Sequence, residues 1–441
     1  DEKITGDGDR GDGRPERQGG RRAHLLHRGL EGVPDVEVTT KVGHLPHLPR
    51  RIPGIYRDGR GPAVRVIWPS PEDNREVVRP GSYVVTGTVP GTRFEPKARV
   101  HVAEAAGAAK APEPSLAPFP LGQVVLTSRE GGRPTPFTEH RDKFHAGLEK
   151  TDPDRFLYVF RDAFGQEQPE GTQPLGVWDS QTTRLRGHAT GHYLTALAQA
   201  CASTSYDPEL HAVFAGKMDH MIGVLHQLSK LSGKPASEGG PSNADPATVP
   251  PGPGRKGYDS DLSKEGIRTD YWNWGRGFIS GYPPDQFIML ENGASYGGGN
   301  DQVWAPYYTL HKILAGLVDC YEVGGDPRAL EVASDMGLWV CQRLEAVPRE
   351  TLIRMWNSYI AGEYGGMNDI LARLHRVTGN ERFLEGAKLF DNTRFFFGDA
   401  DHGHGLARNV DTIRGRHANQ HIPQVIGALE TYRGTRELPY Y

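Results

Sequence analysis

Cysteine is scarce in this chain, long apolar runs are missing, and neither sign of charge is in excess. Cys201, Cys320 and Cys341 are odd in number and far apart, and each sits inside an apolar helical pattern such as Leu317-Val318-Asp319-Cys320-Tyr321. That spacing excludes a structural disulfide framework and reads as three small core residues. Nothing approaches the roughly 18 consecutive apolar residues of a membrane span. Lys+Arg 51 against Asp+Glu 55 leaves a formal charge of -4, so no basic field invites nucleic acid, and a neutral or weakly charged small ligand fits better. A hydrophobic share of 37% and a mean hydropathy of -0.57 describe a water-soluble chain. Its 441 residues allow roughly two or three domains. The sequence opens at Asp1 with no charged segment leading into an apolar one, as expected of a secreted chain already stripped of its signal peptide, or of a fragment.

Glycine and proline are plentiful, and their distribution divides the chain. Residues 1–60 are rich in Gly, Arg, Asp and Pro, with Gly6-Asp7-Gly8-Asp9-Arg10-Gly11-Asp12-Gly13 as the extreme case. Lacking apolar periodicity to offset its ordering entropy, this segment is expected to be disordered or weakly folded. Residues 61–103 turn to short β-rich pieces, Val64 to Trp68, Ser82 to Val89 and Ala98 to Val102, punctuated by Pro80-Gly81 and Pro90-Gly91. With Trp68, the Val-Thr-Gly-Thr-Val core and the last strand, this stretch resembles the bacterial immunoglobulin-like repeats that accompany secreted carbohydrate enzymes. The resemblance implies a small β-sandwich-like module and an extracellular setting. Residues 104–118, rich in Ala and Pro, read as a linker into a main domain at 119–441.

Past the linker the apolar period becomes helical. Runs begin at His192, Leu310, Ala333, Phe383 and Ile422. A related turn recurs between paired helices, at Ser205 to Leu210, Gly325 to Leu330, Gly379 to Leu384 and Gly434 to Leu438, with glycine ending one helix and Asp, Asn or Thr placed to cap the next. Leu330, Leu384 and Leu438 are spaced by 54 residues twice, as in stacked helical hairpins. Residues 234–304 interrupt the rhythm with Pro250-Pro251-Gly252-Pro253-Gly254 and Tyr271-Trp272-Asn273-Trp274, an insertion expected on the binding face. The remaining pattern holds seven or eight helices, too few to close a ring of six hairpins.

Polar clusters gather where these helices begin. They are Arg184 to Tyr193, Trp304 to Lys312, Gly362 to Asp369 and His417 to Pro423. Aromatic faces cover sugar C–H surfaces while amides, imidazoles and carboxylates bind hydroxyls, so this mixture suits a sugar pocket. His192, His311, Glu363, Asn368, His417 and Asn419 are the candidate substrate-binding residues, and Trp272 with Trp274 a candidate platform. Each has a plainer reading. His188 and His192, spaced i,i+4, suit a metal, a structural hydrogen bond or a substrate contact, though no His-Glu-x-x-His motif is present. His311 reads equally as a core histidine, Glu363 as a partner for the positive end of its helix, Asn368, His417 and Asn419 as capping groups, and the tryptophans as loop anchors.

The motifs Asp152-Pro153-Asp154-Arg155-Phe156-Leu157, Leu185-Arg186-Gly187-His188 with Gly191-His192-Tyr193-Leu194, Trp304 through Gly316, Glu363-Tyr364-Gly365-Gly366-Met367-Asn368 and His417-Ala418-Asn419 with Ile422-Pro423 occur in order. Together they resemble the β-L-arabinofuranosidases of glycoside hydrolase family 127 and its relative family 146. The resemblance implies a mainly α fold, here an incomplete (α/α)6 toroid of helical hairpins, acting on an oligosaccharide or glycan. It also implies a retaining mechanism in which a zinc-bound cysteine thiolate attacks the anomeric carbon and a glutamate serves as acid/base. In the family that glutamate and the zinc ligands follow the His-Ala-Asn motif by more than a hairpin, so they are expected beyond residue 441, and no zinc ligand or catalytic residue is assigned in this chain. Asp369 stands where glutamate is expected, His421 interrupts the run after Gln420, and Ala189-Thr190 departs from the bulkier family pattern. Two other readings stay open: a toroid acting on uronides through Glu363 with Asp369 or Asp179, and a carbohydrate-binding fragment without turnover.

Overall fold

The structure is a computed structural model that describes residues 27–42, 45–69, 75–77, 79–104, 116–128, 131–234, 238–240, 242, 245–248, 271–297, 303–392, 417–437 and 440. It divides into an N-terminal β unit and a larger helical unit.

The β unit holds six strands in two three-stranded sheets. β1 (Leu30–Gly32), β3 (Arg51–Tyr56) and β4 (Gly59–Arg65) make one antiparallel sheet in the order β1-β3-β4. In the other, β6 (Lys97–Ala103) pairs parallel with β2 (Val36–Lys41) and antiparallel with β5 (Gly81–Thr86). Ile52, Val64, Val66 and Val89 form one small core, and Val77, Val100 and Val102 another. The expected module boundary at residue 61 is therefore too late. Three strands lie in the part of 1–60 read as weakly folded, because Val36-Glu37-Val38-Thr39-Thr40-Lys41 alternates half-buried and exposed positions along one strand. Pro53 is tolerated in β3 beside a bulge. Residues 1–26 and most of the linker, 105–115, lie outside the described residues.

The helical unit contains eleven α-helices among its described residues. They are α1 (Pro136–Lys150), α2 (Asp154–Ala163), α3 (His188–Ser203), α4 (Pro208–Ser229), α5 (Asp285–Glu291), α6 (Pro306–Gly324), α7 (Pro327–Glu345), α8 (Arg349–Asn357), α9 (Met367–Thr378), α10 (Glu381–Lys388) and α11 (Ala418–Thr435). Three hairpins, α3/α4, α6/α7 and α9/α10, stand side by side. α3, α6, α9 and α11 form an inner row, and α4, α7 and α10 pack behind as an outer row. The recurring turns do what their residues predict: the Asp207, Asp326 and Asn380 side chains accept from the amides of Leu210, Arg328 and Arg382, while Gly325 and Gly379 end α6 and α9 in the left-handed conformation. Leu438, the third leucine of the 54-residue step, is outside the described residues.

The insertion is not a surface loop throughout its described part. Residues 277–290 are buried throughout, and Trp274, Phe278 and Phe287 stack edge to face with one another and against Trp339 and Tyr307. Its aromatic residues build core because there is too much apolar area there to leave in water. α11, by contrast, leaves Ile422, Val425, Ile426 and Leu429 exposed along one face.

Candidate active site

The four inner helices run parallel and bring their N-terminal turns to one end. α3 and α6 approach closely because glycines face each other across them: a Cβ on Gly191 would lie 2.0 Å from the Lys312 carbonyl carbon, and one on Gly316 2.6 Å from the Gly191 oxygen. Further along, Thr195 donates to Asp319 at 2.7 Å, Arg373 on α9 pairs with Asp319 at 2.7 Å and Glu322 at 2.6 Å, and Arg376 pairs with Glu430 on α11. This ladder of charge ties the four helices together below their mouths.

At the mouth of α3, Asp179 is buried and fully engaged. Its Oδ1 accepts from the amides of Gly187 at 2.7 Å and Ala189 at 3.3 Å, so it caps α3 from a preceding segment, while its Oδ2 lies 2.8 Å from His188 Nδ1. Gly187 is required there by its φ of 100°. One turn on, His192 stands open, its ring centroid 5.9 Å from that of His188. Partial burial and then the nearby Lys312 lower its basicity.

The mouths of α6 and α9 meet edge to edge, the Tyr308 amide donating to the Glu363 carbonyl at 3.1 Å. Lys312 Nζ lies 4.3 Å from the Tyr308 ring centroid, and burial depresses its pKa against the opposing pull of Glu363 and Asp369. His311 is buried, and burial with the neighbouring Lys312 holds it neutral, well below the usual histidine range. The two glycines of the Glu363 motif pack on that ring. A Cβ on Gly365 would come 2.7 Å from His311 Nδ1 and one on Gly366 3.1 Å from Nε2, and Gly365 has a φ of +57°. Gly365→Ala is accordingly expected to cost roughly 2 kcal/mol by overpacking and backbone strain together. An unchanged thermal midpoint would mean that the imidazole has room to swing away.

Glu363 itself is 5% exposed, and its Oε1 lies 2.9 Å from His417 Nδ1. The distance suits an ion pair, although the ring is not aligned for a hydrogen bond. Burial raises the Glu363 pKa, and His417 acts against it. His417 is the first residue of the α11 cap, but its side chain makes no capping bond and faces the carboxylate instead.

His192, His311, Glu363 and His417 thus come together as the sequence suggests, whereas Asn368 and Asn419 do not. Asn368 is 1% exposed, donates to the Gln424 carbonyl at 3.1 Å, and fills the space above Gly427, where a Cβ would meet its Oδ1 at 1.9 Å. It clamps α9 to α11 because only a glycine on the facing helix leaves room for an amide. Asn419 points to solvent in the first turn of α11. Its neighbour Gln420, not singled out in the sequence, is the buried one: it donates to the carbonyls of Trp356 and Ser358 at 2.9 Å each and accepts from the Ile360 amide at 3.2 Å. Trp274 is core, so the tryptophan platform expected from residues 272–274 is not formed by it. Tyr308, Lys312 and Gln420 fall within the polar clusters marked in the sequence without being chosen as candidates, though the i,i+4 spacing of Tyr308 and Lys312 at a helix start was available to find two of them.

A cavity of about 1020 Å³ opens at the other ends of the helices, lined by Ala198, Met218, Ile222, Asp319 and Arg376 among others. None of the candidate residues lines it; the imidazoles and the carboxylate of shifted pKa named above, His192, His311 and Glu363, stand at the helix mouths instead. Among the described residues no three His, Cys, Asp or Glu side chains converge as ligands. Cys201, Cys320 and Cys341 are buried separately, and burial pushes their thiols up, that of Cys341 to about 12, away from the thiolate a metal needs. No step is assigned through the metal. Nor is Asp179 a free acid or base, since both oxygens are committed.

Two known families match parts of the chain. The bacterial Ig-like domain (group 4) matches residues 33–92. No curated protein matches the chain. The family described as Beta-L-arabinofuranosidase, GH127 catalytic domain, matches residues 133–233 and 270–441, which include every inner helix and each mouth residue named above. With more than half its length so matched, the chain belongs to the GH127 glycoside hydrolase family, carrying a bacterial Ig-like domain before the catalytic domain.

Proposed function

We propose that the mouths of α3, α6, α9 and α11 bind the terminal β-L-arabinofuranosyl, or a related furanosyl, unit of a plant-type glycan outside the cell. The observation that carries this reading is the pairing of Glu363 with His417 beside neutral His311, half-buried Lys312 and open His192. A furanose presents several hydroxyls on a small ring. Fixed carboxylate, imidazole and ammonium groups at the positive ends of parallel helices answer them with donors and acceptors whose geometry does not depend on solvent. The Ig-like domain supports the extracellular setting, and the hairpin rows are consistent with an (α/α)6 ring. We assign Glu363 to hydroxyl binding rather than bond breaking, since its partner His417 and its burial hold it in place at the helix end.

Calorimetric titration of the 441-residue chain with methyl β-L-arabinofuranoside tests the assignment. Glu363→Gln should weaken binding roughly ten- to hundredfold, the loss expected for a hydrogen bond to a charged group. Equal affinity in the two proteins would remove Glu363 from the site. Turnover by the wild type that disappears in the variant would move it from binding to chemistry.

A further inference from the structure

Among the described residues four that are not glycine have a positive φ: Val177 at 57°, Ala305 at 44°, Ile360 at 56° and Arg436 at 60°. Arg436 ends α11, where a left-handed residue is ordinary. The other three are not at helix C-termini, and two of them are β-branched, for which this conformation costs on the order of 1–2 kcal/mol. Each adjoins an aromatic residue at the rim of the site. Val177 precedes Trp178, Ala305 follows Trp304, and Ile360 follows Tyr359.

Trp178 is 57% exposed and is the one tryptophan of the seven in the chain that stands open to solvent. Its ring lies 6.3 Å from that of Trp304 at 66° and 6.4 Å from the His188 ring, while Trp304 in turn meets Tyr296 at 5.6 Å. The backbone at both tryptophans is pinned. Thr183 Oγ1 donates to the Trp178 carbonyl, the buried Asp179 anchors the next residue, and the Trp304 amide donates to Gln286 Oε1 at 3.2 Å. A hollow of about 280 Å³ opens between Leu175–Asp179, Phe156 and the first turn of α3, close to the lower bound of small-ligand pockets. An exposed indole costs apolar burial, and the strained backbone beside it costs more, so folding alone does not account for either.

We propose that Trp178 and Trp304 form a stacking platform for the sugar ring next to the terminal furanosyl unit, on the leaving-group side of the scissile bond. This rests on the glycan-site reading above. On that reading the terminal ring is taken up by the nearly buried groups His311 and Glu363. The next ring must lie further out, at the level of the rim. There the indole faces offer negative π surface to the positive C–H face of a sugar, a contact that needs no fixed hydrogen-bond partner.

The test compares two ligands, methyl β-L-arabinofuranoside and a β-L-arabinofuranosyl disaccharide, by calorimetry on the 441-residue chain. The wild type should bind the disaccharide about tenfold more tightly, the gain expected from covering one aromatic face. Trp178→Ala should bring the two affinities level without changing that for the methyl glycoside, and Trp178→Phe should keep part of the difference. Trp178 is exposed, so its removal does not threaten the fold. A disaccharide preference that survives in Trp178→Ala, an equal loss for both ligands, or equal wild-type affinities would each overturn the platform while leaving the terminal-sugar site intact. Failure of the wild type to bind either ligand would overturn the site reading, and the platform with it.

Discussion

Gly191→Ala is expected to destabilise the chain by roughly 3 kcal/mol or more, the upper end of what one added methyl costs in a packed interior. The methyl would lie 2.0 Å from the carbonyl carbon and 2.1 Å from the carbonyl oxygen of Lys312, and 2.5 Å from the Ile313 amide nitrogen. All three are backbone atoms of a helix, so no side chain can rotate away, and α3 and α6 must separate instead. Separation breaks the Thr195–Asp319 bond and the contact of Cys320 Sγ with the Leu194 carbonyl, and moves His188 and His192 relative to Tyr308 and Lys312. Denaturant unfolding followed by circular dichroism measures the loss. A change below about 1 kcal/mol would show that the helices can slide apart cheaply, and that the close approach does not hold the site.

Asp369→Asn should act in the opposite direction and depend on pH. Burial lifts the Asp369 carboxyl to about 6, against the pull of Arg373 and with added repulsion from Glu430. An unfolded aspartate titrates near about 3.9, so the folded chain holds this proton more tightly than the unfolded one. The stability it contributes is therefore fully present below the unfolded value and is lost as pH rises through 6. Near pH 7.5 the deficit is of order 2–3 kcal/mol, which the uncharged amide should recover. The variant should melt at a higher temperature than the wild type at pH 7.5, with the gap closing towards pH 4. His311, depressed rather than raised, works the other way as pH falls, but it is common to both proteins and cancels in the difference. A gap that stays constant with pH would show that Asp369 is not the titrating group.

Much of the helical unit was legible in the sequence because its turns are chemically explicit. An Asp or Asn after a glycine has one economical use there, and Asp326 and Asn380 are put to it. The convergence of His192, His311, Glu363 and His417 was legible too, since all four stand at helix starts. What could not be read was which neighbour in a cluster turns inward. Asn419 and Gln420 are adjacent amides, and only the rotation of α11 against the Trp356–Ile360 segment decides that Gln420 is buried. Asn368 was obscured for a similar reason, because its partner Gly427 lies on another helix and no local pattern connects them. In the β unit, glycine and arginine dominated the composition of the first sixty residues and hid a six-residue alternation that is enough for a strand.

The inner and outer helix rows have a consequence for how such a protein can change. The short capped turns at Asp207, Asp326 and Asn380 lie at the end away from the helix mouths, and the longer segments that precede α3, α6, α9 and α11 lead into the mouths themselves. The short turns set the pitch of the hairpins, so a residue gained or lost there shifts a whole helix. The long connections carry what surrounds the mouths, and where they lie exposed, as at residues 176–178, they can be rewritten without disturbing that pitch, whereas the buried stretch 277–290 is part of the core and cannot. One end of the helical unit keeps the gauge, and the exposed loops at the other are free to be retuned.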